Sequence, residues 1–594
     1  GVGELRAAGG RRLRAGCGRT AVCGRAAPLL RAIRRNNGVH ARGCFTEGAC
    51  QRNKGVHARH CFTQRRSPGY IPAASPCPPC VVQARSGLRT ASTPQHRGFY
   101  LPICAKLGPT YFSKRVILRR FYLLIYVELC SSYLSIRVDG VVMLRRKMTR
   151  ILENWKRSSH KALMLTGARQ VGKSYAVRDF GRSNYLVYVE INLAIDREAR
   201  TLLADASSPI DFINRIALLH PEPLIEHETL VFVDEVQEYP EIVTLMKGLV
   251  EDGRFSYILS GSMLGTEFKG VTSFPVGFVE QHVMRPLDFE EFSWAVGVDP
   301  RFLDQIRSCL RDRRSVEDYL HDTMMRNFRA YMVCGGMPEV VQRYIDSGFS
   351  LMETRTLQSE LVVQYGQDIA QYAGARALEV HRIFDQIPVQ LEEDPHRFVL
   401  ASLEKGARFS TFDHDFLWLV HAGVGLMVQQ VTEAKAPLKR TESASRFKLY
   451  QSDTGMLVSR YPQSTSRAIY LDRAQPNLGG IYENVVAQEL TALGVGAWYY
   501  QSSEVGEVDF VIEGCAGRIV PIEVKSGRKM RSHAALDRLL GIDEYKIREA
   551  VVLSRLNVSV EDRVLYAPWY MAFCLDELTE REDTDFTFAP VVPQ

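Results

Sequence analysis

The sequence predicts an α/β fold: a parallel sheet around a phosphate-binding loop, a middle of helices followed by a hairpin, and a second α/β unit. Three observations predict it. An apolar strand runs into Gly167-Ala-Arg-Gln-Val-Gly-Lys-Ser174 and then into an amphipathic helix. A second apolar run, Leu230-Val-Phe-Val, ends in the paired carboxylates Asp234 and Glu235. Towards the C-terminus, one helix and two strands carry Glu483, Asp509, Glu523 and Lys525.

The loop satisfies the spacing G-x-x-x-x-G-K-[ST]. Gly167 and Gly172 let the backbone N–H groups of Ala168, Arg169, Gln170 and Val171 turn inward onto phosphate oxygens, and a helix opening at Lys173 points its positive end at them. Lys173 is placed to reach the β- and γ-phosphates, and the Ser174 hydroxyl to ligate Mg²⁺. In a parallel sheet the carboxyl end of a strand faces the ligand crevice. Asp234 is thus a second magnesium ligand and Glu235 the group that polarises the attacking water. The strand Ser256-Tyr-Ile-Leu-Ser-Gly-Ser262 ends in small polar residues, and Ser260 or Ser262 is placed to sense the γ-phosphate. ATP and Mg²⁺ are the ligands these residues ask for.

Composition divides the chain. The whole carries 75 Lys+Arg against 67 Asp+Glu, a net charge of +8. Residues 1–142 hold 24 basic and 4 acidic residues, which leaves 51 and 63 for the remainder. The body is mildly acidic, so overall charge is no argument for nucleic acid. Nine of 13 cysteines also fall before residue 143, and the other four have no ligand spacing. The leading segment lacks methionine before Met143 and repeats Arg35–Thr46 at Arg52–Thr63 with ten of twelve positions identical. We expect residues 1–142 to be spurious upstream translation and disordered. Its apolar run at 121–136 is short of the roughly 20 residues of a membrane span and has Glu128 at its middle. The expected compartment is the cytosol.

From Met143 the pattern predicts a basic amphipathic helix over 144–156, a strand over 185–192 and helices over 194–204 and 211–219. Several phrases together resemble bacterial AAA-superfamily ATP-binding proteins that couple an AAA-type ATPase domain to a C-terminal domain of unknown function. They are Met143-Leu-Arg-Arg-Lys, Gly167–Ser174, Phe232-Val-Asp-Glu-Val-Gln, Leu259-Ser-Gly-Ser, Arg285-Pro-Leu-Asp-Phe-Glu-Glu-Phe and Gly335-Gly-Met-Pro-Glu-Val-Val341. The resemblance implies an AAA-type domain at 143–295, a helical lid or connector at 296–345, and Pro338 against the adenine. It also implies an arginine finger, yet Phe278 stands where that arginine is expected and Arg285 is the nearest alternative.

Helices from about residue 350, a helix over 410–422 and strands over 424–431 and 446–453 suggest a winged-helix-like domain at 346–470. Its recognition helix holds Asp413, His414 and Asp415 and no Lys or Arg, which argues against phosphate contact. In the last block, 471–594, the strand period puts Glu523 and Lys525 on one face. With Glu483 and Asp509 they resemble the PD-(D/E)xK nuclease core, which implies that Asp509 and Glu523 bind Mg²⁺ and that Lys525 orients water. Three functions stay open: an ATPase acting as a nucleotide-driven switch, an ATP-dependent DNA-binding protein or nuclease, and a nucleotide-gated scaffold for a protein partner or second copy.

Overall fold

The computed structural model describes residues 137–138, 141–142, 144–262, 275–473, 478–527 and 529–579. The reading of 1–142 as a disordered leader lies almost wholly outside the described residues. Within that segment, Arg137–Val138 pairs antiparallel with Val141–Val142.

The first sheet contains five parallel strands. After helix α1 (Lys147–Ser158) the chain forms β1 (Ala162–Thr166), α2 (Lys173–Asn184), β2 (Val187–Asn192), α3 (Arg197–Ala204) and α4 (Pro209–Leu219). Then come β3 (Thr229–Asp234), α5 (Ile242–Asp252), β4 (Ser256–Gly261) and β5 (Val279–Val283). The strand order is β2-β3-β4-β1-β5. Alternate residues bury on opposite faces, as the two-residue period requires. Leu163, Leu165 and Phe232 meet Trp155 and Phe180, whereas Met164, Val231 and Val233 meet Phe212 and Met246. Helix α3 starts at Arg197 rather than Ala194 because the Asp196 carboxylate caps it, accepting from the Ala199 N–H. Ser208 caps α4 in the same way and Pro209 opens it.

A helical layer follows: α6 (Phe289–Ala295), α7 (Pro300–Arg311), α8 (Asp318–Cys334), α9 (Pro338–Asp346), α10 (Leu351–Tyr372), α11 (Ala377–Glu392) and α12 (Phe409–His421). Beyond it are β6 (Gly425–Val431), β7 (Glu442–Gln451), α13 (Thr454–Ser459), α14 (Gln463–Tyr470), α15 (Gly479–Ala492), β8 (Ala497–Ser502), β9 (Gly506–Glu513) and β10 (Ile519–Val524). The last elements are α16 (Ala534–Leu540), β11 (Ala550–Ser554), β12 (Ser559–Glu561) and β13 (Val564–Pro568).

The hairpin β6–β7 corrects the expected domain plan. It is not the wing of a separate 346–470 domain but the edge of one eight-stranded sheet, in the order β12-β13-β11-β10-β9-β8-β6-β7. Strand β6 runs parallel to β8, with Trp498 opposite Gln429, so the sheet crosses the expected 470/471 boundary. Strand β7 returns the chain antiparallel to β6, and α13 to α15 complete the connection to β8. The expected recognition helix, α12, buries Asp415 against Arg376, whose Nε lies 3.1 Å from Oδ1. Among the described residues, no helix is long and apolar enough to cross a membrane.

Candidate functional site

The phosphate loop leaves the carboxyl end of β1 and turns at Gly167 (φ 137°) and Gly172 (φ 95°), both in the region open to glycine. At Gly167 a side chain is also excluded by space, since a Cβ would fall 2.0 Å from the Met284 carbonyl oxygen. Lys173, the first residue of α2, is buried, and its ammonium donates to the carbonyls of Gly167 (2.9 Å) and Ala168 (2.8 Å). Burial lowers this ammonium to about 8 against the pull of Glu235 and Asp234. A group so held gains from an arriving phosphate.

The carboxylate of Asp234, at the end of β3, gathers the neighbouring polar groups. Ser174 Oγ donates to Oδ2 at 2.7 Å, Asn192 Nδ2 to the same oxygen at 3.2 Å, and Ser260 Oγ to Oδ1. The expected magnesium ligands Ser174 and Asp234 are therefore adjacent. Asn192 was missed in the sequence; the signal was a polar residue closing an apolar strand beside β3. Glu235 follows in a left-handed conformation (φ 56°), and its carboxylate accepts from the Gln237 side chain. Of the two serines on β4 and just beyond it, Ser260 bonds Asp234, whereas Ser262 lies 3.4 Å from Arg169 Nε.

Pro338 stands at the first position of α9, and its Cγ lies 3.7 Å from where a Cβ on Gly172 would be. Arg146 joins this side of the loop, donating to the carbonyls of Val171 (2.9 Å) and Arg285 (2.6 Å) and to Glu291 (3.0 Å). The Gly336 N–H donates to Asp453 Oδ2 at 2.6 Å, so the turn carrying Pro338 is tied to the cap of α13. The Phe278 ring lies 5.5 Å from the Lys247 ammonium. Arg285 lines a cavity of about 640 Å³ with Thr166 and Ser262, where burial lowers its guanidinium from the usual arginine value.

The second sheet and α15 bring the four expected charged residues into one cluster and add Lys448, Glu507 and His396 to it. Lys448, on β7, is fully buried, with its ammonium 2.9 Å from Glu483 Oε2, 2.9 Å from Glu507 Oε1 and 3.9 Å from Asp509 Oδ1. Tyr450 also donates to Glu483 Oε2 at 2.8 Å, and His396 Nδ1 lies 2.7 Å from Oε1. Burial raises the Glu483 carboxyl, but Lys448 and His396 outweigh it and hold it at about 2. Lys525 pairs with Glu523 Oε1 at 2.6 Å.

The expected magnesium ligands Asp509 and Glu523 lie in this cluster, and Glu523 Oε2 is buried there without a hydrogen-bond partner. Lys448 stands between Glu483 and Asp509, and Glu483 takes three donors, Lys448, Tyr450 and His396. Asp509 accepts the Val524 N–H at 2.8 Å, and burial, then Glu523 and Glu483, push its carboxyl well above the ordinary carboxylate range. Among the described residues, no group of three or more His, Cys, Asp or Glu is arranged to hold a metal ion.

Comparison with known families matches residues 159–293 to a model described as an AAA domain. The chain carries an AAA-type domain. Residues 325–466 and 478–570 match two domains of unknown function, DUF8612 and DUF4143. The AAA domain thus covers the five parallel strands and the phosphate loop. No curated protein matches the chain. Among solved structures, a Walker-type ATPase of Pyrococcus abyssi is 14% identical, over 55% of this chain and 97% of that one, with a TM-score of 0.34. The replication initiator DnaA bound to AMPPCP and single-stranded DNA is 12% identical over 47% and 88%, at 0.24. The RuvB branch migration motor of Thermotoga maritima is 13% identical over 51% and 90%, at 0.22.

Proposed function

We propose that the protein is a cytosolic, Mg²⁺-dependent ATPase that works as a nucleotide-driven switch. The observation that carries this reading is the direct 2.7 Å hydrogen bond from Ser174 to Asp234 beside a buried lysine held by its own loop. In the presence of MgATP, Lys173 exchanges two loop carbonyls for the β- and γ-phosphates. Ser174 and Asp234 would hold the ion, which would neutralise charge on the phosphates. Glu235 orients and polarises the attacking water, and Ser262 and Arg169 face the terminal phosphate. Pro338 takes the base side of the pocket.

The switch reading draws on the tie between Gly336 and Asp453. A base seated against Pro338 bears on the Gly336 turn, hence on Asp453, two residues past the end of β7, the strand that carries Lys448. The second sheet is then the element that nucleotide state biases, and its surface serves a protein partner or a second copy. Lys173→Ala is expected to abolish nucleotide binding, and Glu235→Gln to bind MgATP and release no phosphate. Unchanged ATP affinity in Lys173→Ala would sink the reading.

A further inference from the structure

Two residues of the phosphate loop, Arg169 and Gln170, are held by one face of a single helix. Positions 364, 365, 368 and 372 of α10 lie on that face, at helical spacing. Asp368 Oδ1 is 2.5 Å from Arg169 Nη1, and the Tyr372 hydroxyl is 2.9 Å from Nη2. The Tyr365 hydroxyl donates to the Arg169 carbonyl at 3.0 Å, and Gln170 bonds Gln364. The Arg169 guanidinium also lies over the Tyr372 ring, 5.0 Å from its centroid.

Where that guanidinium sits decides its chemistry. Its Nε lies 3.4 Å from Ser262 Oγ, just past the end of β4, and Asp234 and Glu235 close the neighbouring strand β3. The carboxyl ends of parallel strands are where the terminal phosphate of a bound nucleotide is met. An arginine fork matches a phosphoryl group better than it matches one carboxylate oxygen, and the phosphoryl brings more charge. Asp368 is itself poorly solvated, and Glu235 opposes its charge. It is an anion whose hold on Arg169 a stronger anion can break.

We propose that Arg169 reads the terminal phosphate of the nucleotide, and that Asp368 takes the place of that phosphate on Arg169 while the site is empty or holds a diphosphate. The inference rests on the nucleotide-binding reading above and deepens it. A triphosphate draws the fork from Asp368 towards Ser262, and Asp368 is left facing Glu235 without a counter-ion. A diphosphate has no group to compete with Asp368, so the contact between α10 and the loop persists. Arg169 then supplies in cis the positive charge that Phe278 does not, and α10 senses the difference between the two nucleotides.

The test is equilibrium binding of fluorescently labelled ATP and ADP, each with Mg²⁺, to the full chain and to variants Asp368→Asn, Tyr372→Phe and Arg169→Gln. Asp368→Asn should tighten ATP about tenfold, the scale of one charge-assisted hydrogen bond, and Tyr372→Phe should shift it less in the same direction. Arg169→Gln should weaken ATP by about tenfold or more and bring the ATP-to-ADP affinity ratio towards one. If Asp368→Asn and Arg169→Gln alter both nucleotides by equal factors, or alter neither, the contact is a static clamp and the proposal fails with nucleotide binding intact. Absence of binding of either nucleotide by the unaltered chain would overturn both readings, and Lys173→Ala supplies the matched control.

Discussion

Replacing Lys448 by methionine removes one buried charge on which three carboxylates depend. Methionine keeps the bulk of the lysine stem, so the change is chiefly electrostatic. The ammonium now stands 2.9 Å from both Glu483 and Glu507 and 3.9 Å from Asp509. Breaking a buried ion pair from one side costs about 3–5 kcal/mol, because the remaining charge stays out of solvent without that counter-charge. That is a large share of a domain stability of about 5–15 kcal/mol. The loss also has a pH signature. Glu483 sits at about 2 in the folded chain against an ordinary 4.5, so its stabilisation is fully present above 4.5 and is lost as pH falls towards 2. In Lys448→Met the sign reverses, because the stranded carboxylates gain a proton more readily folded than unfolded, and acidification to pH 5 restores part of the loss. Urea unfolding followed by tryptophan fluorescence at pH 8 and pH 5 reads both effects. The double variant Lys448→Met/Glu483→Gln should recover about 1–3 kcal/mol relative to additivity. A loss below about 1 kcal/mol at pH 8, against the 3–5 expected of a broken buried pair, would refute the reasoning. An equal loss at both pH values would do the same.

Other expectations follow from the loop and its supports. Gly167→Ala forces a Cβ to 2.0 Å from the Met284 carbonyl oxygen at a φ of 137°; thermal unfolding should show a lower Tm and no upward shift on adding MgATP. Lys173 stands at about 8 in the free site and is charged when it holds phosphate. Affinity for ATP should therefore weaken as pH rises above 8, and calorimetry at pH 8.5 in buffers of different ionisation heat should show proton uptake; its absence would contradict a neutralised lysine. Asp453→Ala leaves the N–H groups of Gly336 and Met456 buried without an acceptor, at about 1–3 kcal/mol each. It should lower the urea midpoint and weaken ATP through Pro338, whereas unchanged ATP affinity would uncouple that turn from the base.

The phosphate loop, its flanking strand and helix, and the Asp234 strand were legible because each is local: spacing and period carry them. The capped starts at Arg197 and Pro209 were less so: the expected helices open at 194, before the Asp196 cap, and at 211, past the Ser208 cap, because periodicity does not mark the residue whose side chain fixes the first turn. What sequence order hides is pairing between distant strands. Nothing in Gly425–Val431 announces a parallel partner at Trp498, so a hairpin after helices reads as a wing. Lys448 was visible as a charged residue between Phe447 and Leu449-Tyr450. A lysine there signals either an exposed face or a buried counter-charge, and only the position of Glu483 on α15 decides between them. The clamp of Arg169 by Asp368 joins residues 199 apart in sequence, beyond the reach of any spacing rule.

The crossing of the eight-stranded sheet over the 470/471 boundary has a practical consequence. A chain cut near residue 475 would leave β6 and β7 on one fragment and β8 to β13 on the other, each with an open strand edge that belongs to its counterpart. Expressed alone, either piece should aggregate; expressed together, the two should find each other and rebuild the sheet. That makes the crossover a natural place for a split reporter. Because Asp453 ties the first fragment's edge strand to the nucleotide turn, such reassembly should itself answer to ATP.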